Sequence, residues 1–125
     1  MRLDFESETP IYIQIAEELE DGVLSGAFPE ETQVPSTTEL SVTYKINPAT
    51  VLKGMNLLVE EQILYKRRGL GMFVQAGACG RILAKRRRSF YESYVVNLLE
   101  EAAKLGISRE ELVRLIEEGS AGNGN

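Results

Sequence analysis

Residues 34–51 read Val34-Pro35-Ser36-Thr37-Thr38-Glu39-Leu40-Ser41-Val42-Thr43-Tyr44-Lys45-Ile46-Asn47-Pro48-Ala49-Thr50-Val51, and two helix starts lie within them. Ser36 followed three residues later by Glu39 is a capping box, in which hydroxyl and carboxylate each take a backbone N–H that the first helical turn leaves over. Asn47-Pro48 is the second start: Asn47 caps, and Pro48 suits the first turn because its missing N–H has no partner to lose there. The first of these helices has room for only about two turns before the second begins. In the second, Val51, Met55 and Leu58 share a buried face, while Thr50, Lys53 and Leu57 point elsewhere. Two short helices therefore meet across residues 43–46.

Upstream, Thr9 is placed to cap a helix with Pro10 in its first turn. Ile11, Ile15, Leu19 and Val23 recur every four residues with Tyr12 and Ala16 beside them, and Glu17, Glu18, Glu20 and Asp21 take the opposite side. This helix ends at Gly26, and residues 27–34, with Pro29, read as a loop. Downstream, Ile63-Leu64-Tyr65-Lys66-Arg67 and Met72-Phe73-Val74 flank Arg68-Gly69-Leu70-Gly71, which reads as a hairpin. Its glycines permit the positive φ of a tight turn, and Lys66, Arg67 and Arg68 put three cations near the tip. Residues 76–80 read as a linker that contains Cys79 as an incidental small residue. A helical stripe over 81–104 carries Tyr91, Tyr94, Val95, Leu98, Ala102 and Leu105, and Gly106 ends it. Ser108-Arg109-Glu110-Glu111 is a further capping box, opening a last helix with Leu112, Val113, Leu115 and Ile116. The expected fold is mainly α with a small β-hairpin: a head over 1–75, the linker 76–80, a two-helix tail over 81–119, and a disordered end over 120–125.

The 125 residues suffice for one small domain and an appended helical piece, and 43% apolar side chains supply a modest core. There is no His, and a lone Cys79 forms no internal disulfide or thiolate cluster, so zinc sites and His-based triads are excluded. No metal site, cofactor or catalytic residue is expected. No apolar run is long enough for membrane insertion, and the start at Met1-Arg2-Leu3-Asp4 lacks a secretory signal, so a cytoplasmic location is expected. The net charge of −5 is unevenly spread. Residues 1–32 carry one basic and nine acidic side chains, 33–91 ten and three, and 92–125 three and seven. A basic middle between acidic ends fits an electrostatic footprint confined to one face, since phosphates respond to local charge, and from charge alone it fits a merely solvated basic patch equally well.

Helix, short helix, helix and a basic hairpin make the winged form of a helix-turn-helix, which suits double-stranded DNA. The helix starting at Pro48 fits a major groove with its N-terminal residues at base edges. Thr50 and Lys53 are placed to contact phosphate or bases. Arg67 and Arg68 are placed to track phosphates or enter the adjacent minor groove. The candidate DNA-binding set is Ser36, Thr37, Thr38, Asn47, Pro48, Ala49, Thr50, Lys53, Lys66, Arg67, Arg68 and Gly69. The run Lys85-Arg86-Arg87-Arg88 covers too much of a helix's circumference to lie on one face, so part of it is solvated charge. A rival reading is a scaffold module whose acidic ends bind basic partners. An enzyme is the least supported class, because no nucleophile stands with a base partner and no phosphate-cradling loop appears.

Four blocks also carry a resemblance: Pro10-Ile11-Tyr12-Ile13-Gln14-Ile15-Ala16, Val34-Pro35-Ser36-Thr37-Thr38-Glu39-Leu40, Ile46-Asn47-Pro48-Ala49-Thr50-Val51 and Arg68-Gly69-Leu70-Gly71-Met72-Phe73-Val74. In this order they resemble the GntR family of bacterial transcription regulators. The tail Glu101-Ala102-Ala103-Lys104-Leu105-Gly106-Ile107-Ser108-Arg109-Glu110-Glu111-Leu112 is similar to that of its YtrA subfamily. The resemblance implies a homodimeric repressor of neighbouring genes, often those of ABC transporters. Thr38 and Leu52 stand where the family often has DNA-contacting arginines, Met72 replaces a usual threonine of the wing, and Gln62 replaces a usual glycine. The helix start at Asn47-Pro48 is similar to the YtrA version, so the operator is not borrowed from other relatives.

A lone two-helix tail cannot bury Tyr91, Tyr94, Val95, Leu98, Leu99, Leu105, Leu112, Leu115 and Ile116, each worth about 1.5 to 3 kcal/mol on full burial; the candidate dimer interface is Tyr91, Tyr94, Val95, Leu98, Leu99, Ala102, Leu112, Leu115 and Ile116. A second copy of the chain is therefore the expected partner, in a two-fold arrangement suited to a pseudo-palindromic site. The tail is too thin to enclose a drug-sized pocket of about 300 Å³ or more within one subunit. A small-molecule effector, unknown from the sequence, has room at a dimer interface or between tail and head.

Overall fold

A computed structural model of the chain describes residues 3–122, which fall into two compact units divided between Ala84 and Lys85. The first unit holds α1 (Ile11–Ser25), α2 (Thr37–Tyr44), α3 (Pro48–Glu60), β1 (Leu64–Arg67) and β2 (Gly71–Val74). α4 (Ala78–Phe90) begins in it, a π-helical turn covers Tyr91–Val95, and α5 (Val96–Lys104) and α6 (Arg109–Gly122) complete the described chain.

The two helix starts of residues 34–51 form as their chemistry dictates. The Ser36 hydroxyl accepts the Glu39 N–H at 3.0 Å and Glu39 Oε1 accepts the Ser36 N–H at 3.0 Å. Asn47 Oδ1 accepts the Ala49 N–H at 2.8 Å, with Pro48 in the first turn of α3. α1 ends at Gly26, whose φ of 87° only glycine adopts without strain. Its start differs from the sequence expectation: Pro10, in an extended conformation, takes the cap position, and no side chain caps it. Pro10 brings its carbonyl to the Ile13 and Gln14 N–H groups, so Thr9 stands outside the helix. Gln14 secures the entering chain instead, donating to the Thr9 and Asp4 carbonyls and accepting the Asp4 N–H.

The core of this unit joins Ile15, Ala16, Leu19 and Val23 of α1, Leu40 of α2, Val51, Met55 and Leu58 of α3, and Ile63, Leu64, Met72 and Val74 of the hairpin. Met72, at a position the resemblance gives to threonine, is thus a core side chain. Glu20 is a correction to the sequence reading, being buried rather than solvent-facing. It lies four residues after Ala16 and three before Val23, which puts it on the margin of the apolar stripe. α1 and α3 approach closely at Gly54, where a Cβ would stand 2.5 Å from the Tyr12 carbonyl oxygen.

β1 and β2 pair antiparallel from Leu64↔Val74 to Arg67↔Gly71. The Leu70 N–H donates to the Arg67 carbonyl at 2.9 Å, and Gly69 has φ 77°. Part of the loop expected over 27–34 joins this hairpin: the Glu31 and Val34 N–H groups donate to the Val74 and Met72 carbonyls, and the Val74 N–H donates to the Thr32 carbonyl. These bonds cover one edge of β2. Residues 76–80 are not an extended linker. The chain turns at Gly77, with φ 84°, and α4 starts at Ala78 because Ala78 and Ile82 are wholly buried in the same core. Cys79 accordingly sits half-buried in a helix, its Sγ 3.7 Å from the Val23 carbonyl oxygen.

In the second unit α5 closes at Gly106, φ 71°, with the Ile107 N–H on the Ala102 carbonyl and the Gly106 N–H on the Ala103 carbonyl. This is the paired-bond stop that a left-handed residue allows. The Ser108 hydroxyl then accepts the Glu111 N–H at 3.2 Å at the head of α6. The end expected to be disordered, 120–125, lies partly in α6, which runs to Gly122; 123–125 lie outside the described residues.

Candidate nucleic-acid interface

The turn between α2 and α3 fixes where α3 begins. Lys45 caps α2 at φ 55°, and the Ile46 N–H donates back to the Ser41 carbonyl at 3.1 Å. The Ser41 hydroxyl donates to the Ile46 carbonyl at 2.7 Å. Two crossed bonds thus lock the residue that precedes the Asn47 cap. Thr37 adds a third tie, its hydroxyl donating to the Met55 sulfur at 3.5 Å.

Along α3, Pro48, Ala49, Leu52, Lys53 and Asn56 are exposed, and Thr50 is half-buried rather than fully exposed. Ala49, Leu52, Lys53, Asn56, Leu57 and Glu60 line an open groove of about 440 Å³ with Tyr12 of α1. The Lys53 ammonium lies 4.1 Å from the centroid of the Tyr12 ring. Asn56 and Tyr12 are absent from the sequence-derived set. The helical spacing 49, 52, 53, 56 signals Asn56, whereas Tyr12 enters only through packing of α1 on α3.

At the start of α2, Ser36 and Thr37 are half-buried and committed to the cap and to Met55, and Thr38 is exposed. On the hairpin, Lys66, Arg67, Arg68 and Gly69 are all exposed. The Arg67 guanidinium stands 4.9 Å from the Phe73 ring centroid, and Phe73 stacks on Tyr65 at 5.8 Å. The Tyr65 hydroxyl donates to Glu31 Oε2 at 2.8 Å, and that bond is the main reason its pKa is raised. The Gln33 amide donates to the Leu70 carbonyl, bracing the tip from the side.

The tail residues divide into two groups. Ala102 and Leu112 are buried and, with Leu98, Leu115 and Ile116, line an apolar trough of about 270 Å³ between α5 and α6. Tyr91, Tyr94, Leu98, Leu99, Leu115 and Ile116 are each 41% to 67% exposed, and Val95 is half-buried. The Tyr94 ring lies 5.4 Å from that of Phe90 within the tail, tilted at 48° to it. Arg87 and Arg88 are exposed, while Lys85 and Arg86 are half-buried.

A short helix and a capped second helix joined by a locked turn, followed by a hairpin with a basic tip, define a winged-helix DNA-binding protein. Residues 11–74 match the family model of the bacterial regulatory proteins of the gntR family, and the chain belongs to that family. It is therefore a DNA-binding transcriptional regulator, not an enzyme. Over 121 residues it is 30% identical to the HTH-type transcriptional repressor YtrA of Bacillus subtilis, covering 97% of this chain and 92% of that protein. A crystal structure of a GntR-family transcriptional regulator from Bacteroides thetaiotaomicron has a TM-score of 0.75 at 32% identity, over 90% of this chain and 98% of that one. The head is also similar to the DNA-binding domain of AraR, solved in complex with operator ORR3, with a TM-score of 0.50 at 26% identity over 59% of this chain and 92% of that one. Among the described residues no helix is long and apolar enough to cross a membrane.

Proposed function

We propose that the chain acts in the cytoplasm as a homodimeric repressor that occupies a pseudo-palindromic operator, in front of genes that include a transporter operon. The head contacts DNA through the start of α3 and through the basic wing tip, with Lys53 on phosphate or base. The tail over 81–119 pairs with that of a second copy. The observation that carries the dimer is the tail surface: Tyr91, Tyr94, Leu98, Leu99, Leu115 and Ile116 remain 41% to 67% exposed in one chain. Burial of each is worth about 1.5 to 3 kcal/mol, and a matching face on a second copy supplies it. Two heads so joined set their α3 helices about one DNA turn apart, roughly 34 Å. The similarity to the Bacillus subtilis repressor YtrA, which extends over the tail, supports repression as the direction of control.

Selection of binding sites from random duplexes, followed by gel shift at two salt concentrations, tests the reading. It predicts an inverted-repeat site and a log–log salt slope near −0.9 per neutralised phosphate. Equal affinity for the selected and random duplexes contradicts it. Sedimentation at micromolar concentration tests the dimer: Leu98→Glu is expected to yield monomers, and a monomeric unmutated chain contradicts the assembly.

A further inference from the structure

Tyr12 belongs to α1 and Lys53 to α3, and yet the lysine Nζ lies 4.1 Å above the Tyr12 ring centroid. Gly54, the residue after Lys53, makes this approach possible. A Cβ at Gly54 would stand 2.5 Å from the Tyr12 carbonyl oxygen, so only a residue without a side chain lets α1 come this close. Tyr12, Ala49, Lys53 and Asn56 then line one open groove along α3.

We infer that Tyr12 is a positioning residue for DNA readout, holding the Lys53 ammonium against its ring face so that this side chain meets the duplex already ordered. The inference rests on Lys53 being a DNA contact. A lysine stem is flexible, and immobilising it opposes binding. A stem already laid on an aromatic face has less freedom left to lose, which is affinity gained by pre-organisation. The ring attracts the ammonium through its negative face and leaves the full positive charge available to phosphate or base. At an exposed site this attraction corresponds to about a two- to fivefold effect on binding.

The test uses the full chain and a duplex recovered by selection from random sequences. Dissociation constants are measured for the unmutated chain, Tyr12→Leu, Tyr12→Phe, Lys53→Met and the Tyr12→Leu/Lys53→Met pair. Tyr12→Leu is expected to weaken binding about two- to fivefold with an unchanged salt slope, because the charge remains. Tyr12→Phe, which keeps the ring, is expected to restore affinity, and Tyr12→Leu is expected to add nothing once Lys53 is Met. In the free protein, ring-current shielding should move the Lys53 ε-methylene protons upfield in the unmutated chain and in Tyr12→Phe. Equal weakening by Tyr12→Leu in both Lys53 backgrounds, no weakening in either, or unshifted ε-protons overturns the role of Tyr12. Undiminished binding by Lys53→Met overturns instead the assignment of Lys53 as a contact. If Tyr12→Leu does not fold, the proton shifts of the unmutated chain and Tyr12→Phe still decide.

Discussion

Ser41 and Ile46 bond to each other twice, through the Ile46 N–H to the Ser41 carbonyl at 3.1 Å and through the Ser41 hydroxyl to the Ile46 carbonyl at 2.7 Å. The second bond is a side chain fastening the turn from α2 into α3, so one oxygen atom holds the entry to the helix that carries the candidate contacts. Ser41→Ala should lower stability by about 1 kcal/mol, the net worth of such a bond. Urea unfolding checks this, and an unchanged midpoint would show that the backbone alone holds the turn.

Gly54 and Gly80 should respond to alanine with opposite signs. Both lie in helices, where Ala is favoured over Gly by roughly 1 kcal/mol. At Gly80 a Cβ meets nothing within 4 Å, and Gly80→Ala should stabilise the chain by about 0.5 to 1 kcal/mol. At Gly54 it meets the Tyr12 carbonyl at 2.5 Å, and Gly54→Ala should cost about 1 to 3 kcal/mol as α1 is pushed away. Thermal unfolding of the two variants side by side is the check, and a stabilised Gly54→Ala would contradict the packing of α1 on α3.

Gln62 follows α3 with φ 61°, a left-handed conformation that strains a residue with a side chain. Its N–H donates to the Val59 carbonyl at 3.1 Å, a backbone bond that glycine keeps. Gln62→Gly should therefore stabilise the chain by about 0.5 kcal/mol, the relief of strain outweighing the greater freedom of unfolded glycine. A fall in the unfolding midpoint would contradict this.

The capping box predicts an acid-sensitive contribution to stability. Hydrogen bonding from the Ser36 backbone, and secondly its hydroxyl, holds the exposed Glu39 carboxyl below the usual carboxylate range. A lowered folded-state pKa means that the contribution is present above the unfolded value and is lost as pH falls through the lowered one. The stability difference between the unmutated chain and Glu39→Gln should thus shrink in that acid window. A difference that stays constant from neutral to acid pH would contradict the assignment.

What the sequence made legible is chemistry between near neighbours. Ser36 with Glu39, Asn47 with Pro48, and the stop at Gly26 each need only a few residues to declare themselves, and each forms as read. The same local reasoning failed where distant chain decides the outcome. Glu20 is acidic and reads as exposed, but it is buried at the margin of the apolar stripe of α1. Residues 31–34 lack strand character until the edge of β2 offers carbonyls and an N–H. Ala78 belongs to a helix because a pocket in the head core receives it. Tyr12 reads as part of an apolar stripe, and its place beside Lys53 depends on the missing side chain at Gly54.

On the proposed function, α3, entered through the Ser41–Ile46 turn, lies in the major groove of each half-site. A structure of the complex with a selected duplex tests it most directly. Lys53 is expected within contact distance of base edges or phosphates in two major grooves roughly 34 Å apart. A complex in which α3 stands away from the duplex, with DNA held only by the wing or the tail, would contradict it.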